Sequence, residues 1–228
     1  MIRKLTLTCS ALAALAALAV SASPASATND PQLTTNVGTL VPAGTSDINL
    51  TQVGSTGIWN TEGTTKIVEC TSGTGTGSIV KNSGGTVEGE ITSLTIGGTG
   101  PKSATEPANE CTGSLGNFSV TPVLPWCLRS TPTMKTDEMQ TTAGKCPGGG
   151  KVKFIIVNTS FGECEYQSAG PILADFTTSP EDARATIRKT AAGSGLALIR
   201  GSFLCPSSVI LEGTRTMESE AGSPLFVS

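Results

Sequence analysis

The sequence predicts an all-β fold, an antiparallel β-sandwich stabilised by disulfides. Short runs rich in Val, Ile and Thr alternate with clusters of Gly, Pro, Asn and Asp, as antiparallel strands and their tight turns do. No long amphipathic helix follows any of these runs, which argues against parallel βαβ units. Six of the seven cysteines lie after residue 27 and form an even set for pairing.

The first 27 residues have the pattern of a secretory signal peptide. Arg3 and Lys4 give a basic start, an apolar run covers residues 11–20, and residues 25–27 (Ala-Ser-Ala) supply a small-residue cleavage site. The run is shorter than the roughly 20 residues of a membrane-spanning helix, and no second run of that length follows. Cys9 is expected to leave with the peptide. The sequence therefore predicts a secreted or cell-surface protein, whose mature chain keeps 201 residues once 27 are removed from 228.

The mature chain begins with a polar lead-in, residues 28–44, which is expected to be mobile or to form an edge strand. A β-sandwich domain over residues 45–228 follows, as one unit or as two small subdomains joined near 97–110. Gly and Pro clusters predict loops at 97–110, 143–150 and 191–195. The predicted strands are, in order, Asp47–Val53, Thr65–Thr71, Gly77–Lys81, Thr86–Ile96, Asn117–Val123, Lys151–Asn158, Ile172–Thr177, Leu196–Leu204, Ser208–Thr214 and Pro224–Val227.

Residues 179–188 admit two interpretations. Residues 179–182 (Ser-Pro-Glu-Asp) resemble a helix start, with an N-cap serine, a proline at the first helical position and acids in the first turn. Apolar residues at 183, 185 and 187 then alternate with polar ones, as in a strand. We expect a turn followed by a strand, with a short helix as the alternative.

The six cysteines of the mature chain are expected to form three disulfides, because thiols pair and persist outside the cell. Six cysteines allow 15 connectivities. Proximity along the chain and the positions of the loops favour Cys70–Cys111, Cys127–Cys146 and Cys164–Cys205. Each bridge would constrain the unfolded chain by roughly 3 to 4 kcal/mol. No CxxC pair is present, so neither a zinc site nor a redox-active dithiol is predicted.

Histidine is absent from the whole sequence. Its absence excludes Ser-His-Asp and Cys-His nucleophile systems, HExxH zinc sites and haem held by histidine. The net charge is −3 for the whole chain and about −5 without Arg3 and Lys4, which argues against nucleic acid and anionic lipid as partners. The sequence predicts no catalytic residue, no metal and no cofactor.

Two aromatic residues are the candidates for contact with a ligand, Trp126 and Tyr166. Because Trp126 precedes Cys127, its indole is expected in the core beside a disulfide; the alternative is an indole that stacks on a ligand. Most of the other aromatic residues should be taken up by the core. Too few aromatics remain for a typical sugar-binding face.

Two further patterns resemble functional motifs without matching one. Glu163 and Glu165 would point to the same side of a strand, and two like charges on one face favour a solvated surface over an active site. The glycines of residues 73–77 (Gly-Thr-Gly-Thr-Gly) lack a phosphate-binding pattern. We interpret them as turn or strand material.

Several short motifs resemble those of a group of secreted, cysteine-containing β-proteins of actinobacteria. Besides an Ala-rich signal peptide that ends Ala-Ser-Ala, these are Val68-Glu69-Cys70, residues 91–96 ahead of Cys111, Leu124-Pro125-Trp126, Cys164-Glu165-Tyr166, Cys205-Pro206, residues 211–214 and residues 224–227. The resemblance spans most of the mature chain and implies an exported β-domain. The group has no assigned activity, so it implies no catalytic residue. Cys127 and Cys146 are an added pair relative to its simpler members.

The leading functional hypothesis is an exported, non-catalytic interaction or structural protein that binds an unknown protein or a cell-envelope polymer. It predicts an exposed sheet edge or apolar patch and no deep polar pocket. The alternative is a small-ligand carrier, which needs a pocket of roughly 300 to 1,000 Å³ lined by Trp126, Tyr166 or Phe residues. A histidine-free hydrolase would need two convergent carboxylates, or Ser with Lys, in one cleft.

Overall fold

The computed structural model describes residues 30–35, 38–97, 111–134, 138–176 and 183–227. Over these residues the chain is all-β, with antiparallel strand pairing throughout and no helix, which confirms the predicted fold class. The predicted signal peptide, most of the loop at 97–110 and the helix-start pattern at 179–182 lie outside the described residues. The strands are β1 (Leu33–Thr35), β2 (Ile48–Trp59), β3 (Lys66–Cys70), β4 (Thr74–Ser83), β5 (Thr86–Leu94), β6 (Cys111–Gly113), β7 (Gly116–Pro122), β8 (Trp126–Ser130), β9 (Glu138–Ala143), β10 (Lys153–Asn158), β11 (Gly162–Ser168), β12 (Ile172–Phe176), β13 (Arg184–Ile187), β14 (Gly195–Gly201), β15 (Ser208–Glu218) and β16 (Leu225–Val227).

The ten predicted strands all correspond to strands of the structure, with shifted ends. The strand expected after residue 182 is present as β13. The predicted strand list lacked β6, β8, β9 and β11, and the lead-in that contains β1 was given only as mobile or as an edge strand. Strand β9 has the sequence Glu-Met-Gln-Thr-Thr-Ala, whose only large apolar residue is Met139, so its burial came from tertiary pairing and not from a local apolar pattern.

Fourteen of the strands form one sheet that closes on itself, and β2 and β15 organise it. These two strands are the longest in the described chain and pair with each other from Asn49–Glu218 to Trp59–Ile210. The first half of β2 also pairs with β4 and its second half with β3. Likewise β15 pairs first with β14 and then with β13.

The β2–β15 ladder therefore divides the closed sheet into two circuits that share these two strands. The first circuit contains β2, β3, β6, β7, β10, β11, β14 and β15; the second contains β2, β4, β5, β8, β9, β12, β13 and β15. Every described strand of the closed sheet has a neighbour on both sides, because closure removes sheet edges. The exposed edge that the interaction hypothesis predicted is thus not found in this sheet.

One hydrophobic cluster fills both circuits. Alternate residues of a strand face the same side, so Leu50 and Ile58 of β2 both point inward, as do Val209, Leu211 and Met217 of β15. The same face of each shared strand thus contributes to the interior of both circuits.

The lead-in is attached to the closed sheet by the buried amide of Asn82 in β4. Its Oδ1 accepts a hydrogen bond from the Leu33 amide at 2.9 Å, and its Nδ2 donates to the carbonyl oxygens of Leu33 and Val41 at 2.7 and 2.8 Å. Leu33 begins β1, which pairs with β16 as a separate two-stranded sheet. The side chain of Asn82 therefore supplies hydrogen bonds that a neighbouring strand would otherwise provide.

The three disulfides join the cysteines that chain proximity favoured, which confirms all three pairings. Cys70–Cys111 links the paired strands β3 and β6, Cys127–Cys146 links β8 to the turn after β9, and Cys164–Cys205 links β11 to the loop before β15. Their Cα–Cα distances are 4.0, 5.0 and 5.9 Å, within the reach of a disulfide.

The glycines of residues 73–77 allow β4 to approach β5 closely. A Cβ at Gly75 would lie 2.6 Å from the carbonyl oxygen of Ser93, and one at Gly77 would lie 2.6 Å from the carbonyl oxygen of Glu90. Real Cβ atoms do not approach backbone oxygens this closely, so only glycine fits without a shift of the strand. The interpretation of this run as strand material agrees with the start of β4 at Thr74.

We expect Gly75→Ala to lower the free energy of unfolding by about 1–3 kcal/mol, because the added methyl group would push β4 away from β5. Gly149→Ala is the matched control, since a Cβ there meets nothing within 4 Å. Urea unfolding of both variants checks this. Equal midpoints for the two variants would contradict the close approach of the strands.

Candidate functional site

The two predicted contact residues are both buried, and they line different cavities. Trp126 lies in β8 and is 5 % exposed, and Tyr166 lies in β11 and is 1 % exposed. The larger cavity, which we call the Trp126 cavity, is lined by Trp126, and a smaller one by Tyr166. The two residues therefore do not share one site, and their contact with a ligand stays a prediction.

The indole of Trp126 is fixed in the core on two sides. Its Nε1 donates a hydrogen bond to the Val123 carbonyl oxygen at 2.8 Å, and its ring meets Phe154 edge to face with a centroid distance of 5.1 Å. Cys127 is the next residue in the strand, so it faces the opposite side of the sheet. The ring contact recorded for the indole is therefore with Phe154 of β10 and not with the disulfide beside it in sequence.

The Trp126 cavity lies inside the second circuit and has a volume of about 80 Å³. This volume is well below the 300–1,000 Å³ that the carrier hypothesis required for a drug-sized ligand. Its lining is mostly apolar and contains one charged residue, Arg215. The lining residues are Leu50, Thr56, Ile91, Leu94, Ile96, Trp126, Leu128, Thr141, Phe154, Ile172, Ala174, Ala185, Ile187, Leu211, Gly213, Arg215 and Met217.

Arg215 points inward because it shares the inner face of β15 with Leu211 and Met217. Its Nη1 is buried without a hydrogen-bond partner, and its Nη2 donates one long bond, 3.4 Å, to the Thr95 carbonyl oxygen. In the part of the chain that the structure describes, no acidic residue lines the cavity. Burial lowers the pKa of the Arg215 guanidinium to about 10, which still leaves it charged at neutral pH.

The sequence carried a signal for Arg215 that the predicted strand boundary concealed. Positions 211, 213, 215 and 217 alternate with outward-facing residues, and Leu211 and Met217 are both apolar. The predicted strand ended at Thr214, whereas β15 continues to Glu218. Had the predicted strand been extended by four residues with the same alternation, it would have placed Arg215 on the inner face.

The second cavity lies inside the first circuit and has a volume of about 60 Å³. The hydroxyl of Tyr166 donates a hydrogen bond to the Pro206 carbonyl oxygen at 3.0 Å, which satisfies the polar end of this ring. Leu115 and Leu204, two of the residues that line the cavity, are also half exposed. The cavity thus reaches the molecular surface at the loops that carry them.

These loops present an exposed apolar surface, which we call the apolar tip and define as Leu115, Phe203 and Leu204. Phe203 is 94 % exposed, Leu204 54 % and Leu115 52 %. The tip is formed by the β6–β7 turn and the β14–β15 loop, with the β10–β11 turn between them. None of the residues in 113–117, 158–162 and 201–208 is charged.

The three loops around the apolar tip are held together by side-chain hydrogen bonds and a disulfide. The buried amide of Asn158 donates to the carbonyl oxygens of Leu115 and Asn117 at 3.2 and 2.8 Å. Ser202 Oγ donates to the Phe161 carbonyl oxygen at 2.9 Å. The Cys164–Cys205 disulfide ties the same loop to β11. The tip is therefore an apolar surface on a braced support.

The acidic pair Glu163 and Glu165 lies on the outer face of β11, as the solvated-face interpretation proposed. Glu163 pairs with Arg200 at 3.1 Å, and Glu165 pairs with Lys153 at 3.2 Å. Within the described part of the chain, no group of three or more Cys, Asp or Glu residues has a geometry that could hold a metal ion.

Trp59 differs from the expectation that the core takes up most aromatics. It lies on the outer face of β2, where the Lys189 Nζ sits 3.9 Å and the Lys66 Nζ 5.3 Å from its ring centroid. Its Nε1 donates to Glu212 at 2.9 Å. A cation–π cluster of this kind joins strands and turns from outside the sheet.

Over the residues that the structure describes, no helix is long and apolar enough to cross a membrane. Comparison with known proteins yields no match to a family model, to a curated protein or to a solved structure. The functional argument therefore rests on the apolar tip and the Trp126 cavity.

Tyr166 gives a direct test of burial in the first circuit, because it is the only tyrosine in the chain. Burial raises its pKa to about 12. An alkaline titration followed by tyrosinate absorbance should show ionisation near pH 12 in the folded protein and about two units lower in urea. The raised folded pKa means that this residue's contribution to stability is full below pH 10 and falls as the pH rises towards 12. A folded-state transition near pH 10 would show that the ring is solvated.

Replacement of Arg215 by an apolar residue of similar length should stabilise the protein. Arg215→Met removes a buried charge that lacks a partner, so we expect the free energy of unfolding to rise by about 1–3 kcal/mol. The control is Arg200→Met, which breaks an exposed ion pair and should change stability by less than about 1 kcal/mol. Urea unfolding at neutral pH measures both, and a clear loss of stability in Arg215→Met would contradict the unpaired state of the guanidinium.

Proposed function

We propose that this chain is an exported, non-catalytic protein that binds a partner protein through its apolar tip. The observation that carries the proposal is the 94 % exposure of Phe203 on a loop braced by the Cys164–Cys205 disulfide. A phenyl ring that is 94 % exposed buries almost no apolar area within the fold, and buried aromatic anchors dominate the binding energy of protein interfaces.

The hydrogen bonds that fix the loops of the apolar tip reduce the entropy cost of binding, which supports a binding role. Association has to overcome the entropy lost when loops and side chains become ordered at the interface. The hydrogen bonds from Asn158 and Ser202 already fix the loops on which Leu115 and Phe203 lie. A partner would then lose little affinity to the ordering of this surface.

The chemistry of the tip favours a protein over the other partners that the sequence left open. The three loops carry no charge, so they offer no attraction for anionic lipids or an anionic cell-envelope polymer. A neutral glycan would need a platform of several aromatic rings, and the tip presents a single one, Phe203. An apolar pocket on a second protein is the surface that a lone exposed phenylalanine fits best.

Export is part of the same proposal. Three disulfides suit an oxidising compartment, and residues 1–27 have the composition of a signal peptide. The resemblance to secreted β-proteins of actinobacteria supports the same location. Glu163 and Glu165 lie in surface ion pairs, which supports a binding role over a hydrolytic one.

The proposal is tested by a photoreactive phenylalanine analogue placed at position 203 of the mature chain. Irradiation in the surroundings of the producing cell should yield a covalent adduct with a partner protein. The same analogue at Val80, an exposed apolar site on β4, is the matched control and should yield no such adduct.

Competition distinguishes binding through the tip from nonspecific contact. Excess unlabelled mature chain should suppress the adduct. The variant Phe203→Ser/Leu204→Ser should compete at least about tenfold less well, because it lacks the aromatic anchor. Equal competition by the two chains, or equal adducts from positions 203 and 80, would refute the proposal.

A further inference from the structure

We propose that the Trp126 cavity binds a short-chain carboxylate, whose carboxyl group pairs with Arg215 and whose alkyl chain packs against Trp126 and Phe154. The cavity lies in the second circuit, away from the loops of the apolar tip. Its role is therefore independent of the protein-binding function proposed above.

Arg215 has more hydrogen-bond donors than the described residues satisfy. A guanidinium carries five N–H donors and no acceptor. Among the described residues, its one hydrogen bond is the 3.4 Å contact from Nη2 to the Thr95 carbonyl oxygen, and Nη1 has no partner. None of the described residues that line the cavity is acidic, so they supply no counter-charge there. A ligand that carries a negative charge would supply both the charge and the missing acceptors.

The guanidinium of Arg215 lies beside the backbone of Gly73 and a largely apolar cavity lining. The Arg215 Nη1 lies against the bare backbone of Gly73, where an added Cβ would be 2.9 Å from Nη1 and 2.6 Å from the Thr95 carbonyl oxygen. Rings and branched aliphatic side chains, including Trp126, Phe154 and Ile172, also line the cavity. The lining thus combines one charged residue and two threonines, Thr56 and Thr141, with a largely apolar surface, which suits a ligand with one charged end.

A single arginine suits a carboxylate better than a phosphate as the charged group of the ligand. A carboxylate carries one negative charge and accepts two parallel hydrogen bonds from a guanidinium. One arginine neutralises one such charge, whereas a doubly charged phosphate would keep an uncompensated charge in an apolar site. The lining holds no lysine and no second arginine. A monoanionic carboxylate is therefore the best match. Since Nη1 is not accessible in this conformation, the bidentate pairing requires a rotation of the guanidinium towards the cavity.

The volume sets the length of the ligand. About 80 Å³ is roughly half of the engineered cavity that accepts benzene, and equals the space of two to three water molecules. Acids of the size of propionate or butyrate are therefore the right class. Water alone is the competing occupant, because a polar group in a small cavity commonly holds ordered water.

The indole N–H signals of the two tryptophans provide the test, because the chain has only Trp126 and Trp59. Trp126 lines the cavity, and Trp59 lies outside the sheet as an internal control. Butyrate added to the isotope-labelled mature chain should shift the Trp126 signal with saturation and leave the Trp59 signal in place. Butyramide, which has the same size and no charge, should bind at least about tenfold more weakly.

Two variants separate the roles of charge and space. Arg215→Met should weaken butyrate binding at least about tenfold and bring it to the level of butyramide. Ala174→Leu fills part of the cavity and keeps the guanidinium, so it should weaken both compounds. Retention of the remaining amide signals would show that each variant is folded.

The proposal fails if butyrate leaves the Trp126 signal unchanged up to solubility, which is the result expected of a cavity that holds water only. It also fails if butyrate and butyramide bind equally well, or if Arg215→Met binds butyrate as the wild type does. Each of these outcomes leaves the cross-linking test at Phe203 unaffected, because the two sites are formed by different residues.

Discussion

The ladder between β2 and β15 is the constraint on which the rest of the structure depends. On the side away from the ladder, β2 pairs first with β4 and then with β3, and β15 pairs first with β14 and then with β13. The ladder itself shifts register between Glu212 and Thr214, close to these changes of neighbour. Such a bulge bends a strand and increases its twist. The bend lets one pair of strands serve two circuits, and it places Gly213 beside Thr56, where a larger residue would crowd the inner face. The ladder thus separates the two candidate sites: the Trp126 cavity lies in the second circuit, and the apolar tip lies at one end of the first.

Closure of the sheet changes where binding can occur. A sandwich with open edges can bind by the addition of a strand, whereas a closed sheet has no unpaired backbone row to offer. Binding to the closed sheet therefore falls to the side chains of its loops, its outer face and its interior. The described loops at one end of the first circuit carry the largest exposed apolar side chain, Phe203, and the interior of the second circuit carries Arg215. The closed topology therefore explains why both candidate sites depend on side chains and not on backbone pairing.

The sequence predicted features that depend on local pattern or chain proximity, and it missed those that depend on tertiary pairing. The disulfide partners followed from proximity, and β10 from its run of branched residues. Closure was not predictable, because it depends on which strands become neighbours across long separations, such as β2 and β15. Trp126 was identified as a possible contact because aromatic residues are scarce. Phe203 was missed because a Phe-Leu pair before a cysteine has the composition of a buried strand end, and only the fold places it in solvent.

The buried guanidinium of Arg215 and the exposed ring of Phe203 are compatible with a stable fold, because the disulfides offset their energetic cost. A buried group without a hydrogen-bond partner costs about 1–3 kcal/mol. Two of the bridges close segments of 41 residues, for which the chain-entropy model gives a stabilisation of about 4 kcal/mol each. One such bridge is thus sufficient to offset the unpaired guanidinium of Arg215. Phe154 of the first circuit contacts Trp126 of the second, so the interiors of the two circuits pack directly against each other.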